Sequence, residues 1–140
     1  MANEPILDQI PTTAVSLPLR ADTASWVFAT AKKLEEISKL SYNWDSYGGR
    51  PISQGARRMA FDALKSLSKR QLPVPAVVLG SAGTVHLEWR YHNKKLEIGF
   101  DDRNAIEFLK VDSNGEWQEE ENVNSNIQEK LELLANWLEM

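Results

Sequence analysis

Thr84-Val85-His86-Leu87-Glu88-Trp89-Arg90-Tyr91-His92, followed by Asn93-Lys94 and then Lys95-Leu96-Glu97-Ile98-Gly99-Phe100, is the stretch that decides the fold. Val85, Leu87, Trp89 and Tyr91 alternate with Thr84, His86, Glu88, Arg90 and His92, the period of a strand with one buried and one wet face. Asn93-Lys94 predicts a tight turn, after which Leu96, Ile98 and Phe100 alternate with Lys95, Glu97 and Gly99. Two such runs joined by a short turn make an antiparallel hairpin. Downstream, Asp101-Asp102-Arg103-Asn104 predicts a turn into a strand over 105–111. Asp112-Ser113-Asn114-Gly115 predicts another, leading to a last short strand carrying Trp117. Upstream, Ala76-Val77-Val78-Leu79 reads as the first strand, ended by Gly80 and Gly83.

On either side the period changes to that of a helix. Trp26, Val27, Ala31, Leu34 and Ile37 share one arc of a helix expected over 24–40, with Asp22 or Thr23 as its cap. Ala56, Met59, Ala60, Ala63, Leu64 and Leu67 mark a second helix, capped by Ser53 and ended by Leu72-Pro73-Val74-Pro75. Ile127, Leu131, Leu134 and Leu138 mark a third, with Ser125 and Gln128 spaced as a capping box. The expected fold is α+β: two N-terminal helices, a four- to five-stranded antiparallel meander and a C-terminal helix, with the helices on one face of the sheet. Residues 1–20, with Pro5, Pro11 and Pro18, read as an extended arm, and 21–140 as a single domain.

Composition narrows the function. The 140 residues include no cysteine, which excludes a disulfide framework, a thiolate metal site and a cysteine nucleophile. No cofactor is expected. The net charge of −4 argues against a dedicated nucleic-acid binder. That charge is unevenly spread: residues 1–70 carry ten bases and seven acids, whereas 71–140 carry six and thirteen. No apolar run is long enough to span a bilayer, and the first residues lack the pattern of a secretory signal, so the expectation is a cytoplasmic protein.

The densest unexplained segment is Tyr42-Asn43-Trp44-Asp45-Ser46-Tyr47-Gly48-Gly49-Arg50-Pro51, between the first two helices. Its residues suit a structural plug, in which aromatics fill a gap while Asp45 or Asn43 bonds backbone amides. They also suit a recognition loop in which Trp44, Tyr47 and Arg50 touch a ligand and Asp45 orients it. Asn43-Trp44-Asp45-Ser46-Tyr47-Gly48, Leu72-Pro73-Val74-Pro75 and Gly83-Thr84-Val85-His86-Leu87-Glu88-Trp89 together resemble an uncharacterised family of small bacterial and phage proteins. The resemblance covers residues 34–100 and implies the fold and the two motif sites, without assigning a reaction. Such proteins commonly carry Asp-Gly-Gly before the strand, where this chain has Ser81-Ala82-Gly83.

Two functional classes follow. The first is a non-enzymatic protein-binding module: an inhibitor, or an antitoxin-like or anti-defence protein, that meets another protein with a basic surface. Its carriers would be the apolar N-terminal arm together with Trp44, Asp45, Tyr47, Arg50, Glu88, Trp117, Glu119, Glu120 and Glu121. Self-association is compatible with this reading. The second is a small hydrolase or nuclease using Asp45, His86 and Glu88. Metal-binding spacings such as His-x-x-x-His and a Gly-x-Ser-x-Gly elbow are absent from the sequence.

Overall fold

The alternation along the central residues becomes a two-faced sheet in the computed structural model, which describes residues 22–140; the arm over 1–20 lies outside the described residues. Helices α1 (Ser25–Ile37) and α2 (Gln54–Ser66) come first. Strands β1 (Ala76–Leu79), β2 (Val85–Tyr91), β3 (Lys94–Phe100), β4 (Ile106–Val111) and β5 (Trp117–Val123) follow, and helix α3 (Ile127–Glu139) closes the chain. Each strand pairs antiparallel with the next, in the order β1-β2-β3-β4-β5. Val85, Leu87 and Trp89 of β2 and Leu96, Ile98 and Phe100 of β3 join the apolar faces of all three helices in one core. Burial of this continuous apolar surface is the main driving force for the fold. The opposite face of the sheet carries His86, Glu88, Glu97 and Leu109, all half-buried.

Two tryptophans anchor that core. The rings of Trp26 on α1 and Trp89 on β2 meet edge to face, 5.8 Å apart, a favoured aromatic arrangement. A buried indole needs an acceptor, and both find one in the link between α2 and β1. Trp26 Nε1 donates to the Arg70 carbonyl at 2.6 Å and Trp89 Nε1 to that of Pro73 at 2.8 Å. The Arg70 side chain donates in turn to Glu132, Asn136 and Glu139, fastening α3 to the same link.

Several boundaries differ from expectation, each for a tertiary or geometric reason. Helix α1 ends at Ile37 and is capped by neither Asp22 nor Thr23. Ala24 holds the cap position, and its amide donates to the Ser68 carbonyl at 2.7 Å, so a distant residue fixes the entry to the helix. Ser53 does cap α2, accepting from the Ala56 amide. Helix α3 lacks the Ser125–Gln128 box; its cap is Asn126, left-handed at φ 52°. The β2–β3 turn falls one residue early, on His92-Asn93, both with positive φ, which suits a two-residue hairpin. That shift places Lys94 in β3, where its Nζ donates to the Trp137 and Met140 carbonyls at the end of α3. A cation there offsets the helix dipole. Strand β5 is seven residues long rather than short. Only Val123 of it is buried, so no apolar alternation marks the acidic part as strand.

Candidate functional site

The segment between α1 and α2 folds by satisfying itself. Asp45 Oδ1 accepts from the Tyr47 amide at 2.9 Å and the Gly49 amide at 2.8 Å. Asn43 Oδ1 accepts from the Gly48 amide at 2.7 Å, and the Asn43 amide closes the loop onto the Gly49 carbonyl at 2.6 Å. Asn43, Ser46 and Gly48 all adopt positive φ, so the chain reverses tightly around the Asp45 carboxylate. Gly49 is packed so closely that a Cβ would lie 2.7 Å from that carboxylate. These amide bonds, that to Tyr47 foremost, hold the Asp45 carboxyl below the ordinary aspartate range.

Trp44 and Arg50 tie this unit to the domain. The half-buried Trp44 packs against the core and donates its Nε1 to the Arg50 carbonyl at 2.8 Å. The Arg50 amide donates to the Ser81 carbonyl in the β1–β2 turn. Asn43, Trp44 and Asp45 are thereby used, whereas the side chains of Tyr42, Tyr47 and Arg50 are not. Tyr47 is 91% exposed and Tyr42 69% exposed. The guanidinium of Arg50 is exposed beside them in sequence and has no carboxylate partner among the described residues.

The other candidates lie elsewhere. His86 and Glu88 are on the open sheet face, where Glu88 stands opposite Glu97 of β3. His86 Nδ1 lies 3.2 Å from Glu97 Oε2 but without the alignment of a hydrogen bond. Its ring crosses Gly99, where a Cβ would come within 2.8 Å of the imidazole. Asp45 shares no hydrogen bond or ion pair with His86 or Glu88 among the described residues; it is occupied by its own loop. Nor do the described residues contain a group of three or more His, Asp or Glu arranged to hold a metal ion.

Trp117 and the three glutamates belong to β5, and strand geometry separates them. Glu119 stands opposite Leu109, on the open face; Glu120 stands opposite the buried Phe108, on the helix side, 3.5 Å from Lys130 of α3. The register then slips between Phe108 and Ile106, leaving Glu121 and the left-handed Asn122 in a bulge. Trp117 is 68% exposed. Tyr42 joins the exposed side chains of the loop, and its aromatic character inside a polar turn is the sequence signal for it. Leu133 is exposed on α3, and its one sequence signal is that it falls off the stripe of Ile127, Leu131, Leu134 and Leu138.

The chain matches no family model, no curated protein and no solved structure. Among the described residues, no helix is long and apolar enough to cross a membrane.

Proposed function

We propose that the chain is a non-enzymatic protein-binding module that presents Tyr47, Tyr42 and Arg50 to a partner protein. The observation that carries this reading is the 91% exposure of Tyr47 on a loop whose backbone is fixed by Asp45, Asn43 and Trp44. A large exposed ring on a rigid support loses little conformational entropy on docking, which is what makes tyrosine effective at interfaces. The support also explains why the motif needs so many residues: most of them hold the backbone, and few face outward. The acidic C-terminal half favours a partner with a basic surface and acts mainly on the rate of encounter. In its sharper form this is an inhibitor of antitoxin or anti-defence type, covering a basic surface that would otherwise meet nucleic acid. The charge split and the family resemblance support that form. Asp45, bonded within its own loop away from His86 and Glu88, favours binding over hydrolysis.

The test is capture of a partner from a lysate of the producing cell, followed by affinity measurement with the purified pair. Replacing Tyr42 and Tyr47 together by alanine is expected to weaken the complex about tenfold or more, with the fold intact by circular dichroism. For the sharper form, the captured partner binds nucleic acid and releases it when the chain is added. A partner held equally well by the tyrosine double variant would overturn the loop as the binding surface, and one held equally well by Glu119→Lys/Glu120→Lys/Glu121→Lys would overturn the part given to the acidic half.

A further inference from the structure

Strand β5 ends the sheet. Among the described residues nothing pairs with its outer side, and six of its seven residues are exposed. Alternate residues of an edge strand point their N–H and C=O groups away from the neighbouring strand, a template for one more strand. Trp117 and Glu119 lie to the open face, and Gln118 and Glu120 to the helix side. On the helix side, a groove of about 490 Å³ lies between the C-terminal end of β5, the turn that follows it and α3, with Glu120, Asn122, Asn126, Glu129, Lys130 and Leu133 among its lining. Leu133 is 55% exposed there, an apolar surface rimmed by Glu129 and by the Glu120–Lys130 pair.

We propose that β5 binds an extended, lysine- or arginine-rich segment of another protein by strand addition. Backbone pairing along Trp117–Glu120 supplies the contact, and the side chains of the added strand alternate between two receptors. Those on one face lie over Trp117 and beside Glu119. Those on the other reach the near end of the groove, with the aliphatic stem of a lysine or arginine on Leu133 and its charge at Glu129 and at Glu120, which it shares with Lys130. A second copy of this chain does not fit, because pairing β5 with β5 brings Glu119, Glu120 and Glu121 close to their own kind. The bulge at Glu121-Asn122 ends the regular edge, so backbone pairing stops at Glu120, the residue at which the groove begins. This inference keeps the reading of the chain as a binding module but uses a surface distinct from the aromatic loop.

The experiment uses the full chain and a fluorescein-labelled peptide of alternating lysine and valine, about eight residues long, an ordinary strand length. Fluorescence anisotropy is expected to show binding at low salt, and amide exchange is expected to slow in β5. An otherwise identical peptide with alternate backbone nitrogens methylated keeps its charge and loses pairing, so its affinity should fall about tenfold or more. Glu119→Lys/Glu120→Lys should weaken the unmethylated peptide by a similar factor, while Tyr42→Ala/Tyr47→Ala should leave it unchanged. Equal binding of the methylated peptide would overturn strand addition and leave only charge attraction. Exchange protection at β1 instead of β5, or a dimer of this chain that shields β5, would overturn the assignment of edge or occupant. Absence of binding by the folded protein would also overturn it. None of these outcomes touches the aromatic loop, whose failure is read separately from the partner captured in the lysate.

Discussion

The loop over 42–50 and strand β5 are both exposed, yet they are exposed for opposite reasons. The loop has turned the amides of Tyr47, Gly48 and Gly49 onto its own Asp45 and Asn43 side chains and anchored itself through Trp44, and what it offers the solvent is chiefly side chains. Strand β5 has used one side of its backbone on β4 and offers the other, with side chains that are charged on both faces. Specificity on the first surface therefore comes from a few fixed rings, and on the second from a repeating main-chain pattern filtered by charge. A mutation that removes a scaffold residue should damage the loop as a unit, whereas no single side chain holds the edge.

The largest effect should come from Trp44→Ala. It removes a half-buried ring and the bond to the Arg50 carbonyl, a loss of about 2–3 kcal/mol measurable by denaturant unfolding. A loss below about 0.5 kcal/mol, the range of ordinary surface substitutions, would mean that the loop does not depend on its anchor, and the contrast with β5 would fail. Asp45→Ala comes next, opening the loop locally: the Tyr47 and Gly49 amides should lose their exchange protection while the sheet keeps its own. Acid should do the same to the unaltered protein. The folded-state pKa of Asp45 is lowered, so the stabilisation it gives is full above the ordinary aspartate value of about 3.9 and disappears as pH falls through the lowered value. Amide protection of the loop followed by NMR from neutral to acid pH checks this, and a loop that instead loosened on raising the pH would contradict it.

Smaller effects belong to β5. Glu119→Lys/Glu120→Lys breaks the exposed Glu120–Lys130 pair, and the change in stability should stay within about 1 kcal/mol. Thermal unfolding of the variant measures it, and a larger loss would show that the edge carries structural weight. Smallest of all is Tyr47→Ala, expected to change stability by no more than about 0.5 kcal/mol because the ring touches so little. If it destabilised the fold as much as Trp44→Ala, the ring would be part of the scaffold and the functional reading of the loop would lose its basis.

How much of this was legible in advance depended on whether the signal was local. The strand from Val85 to Tyr91 and the turn at Asp112-Gly115 were readable because alternation and turn chemistry are written in neighbouring residues. The Ser53 cap was readable for the same reason. The start of α1 was not, since the Ala24 amide is satisfied by Ser68, far along the chain. Within the loop, the sequence presents Trp44, Asp45, Tyr47 and Arg50 as one set. Only the geometry separates the residues that hold the backbone from those that project.

By itself, then, the sequence determined the α+β class, the order of helices and strands, the antiparallel meander and the uneven charge. These follow from periodicity, turn residues and composition, which act over a few residues at a time. The tertiary structure alone decided that Arg70 fastens α3 to the link before β1, and that the buried indoles of Trp26 and Trp89 find their acceptors in that link. It also decided that Glu119 and Glu120 face opposite sides of the sheet while Glu121 falls in a bulge. Those outcomes depend on register and on hydrogen bonds between residues distant in the chain, and a linear pattern of residue types does not specify which distant partner satisfies which group.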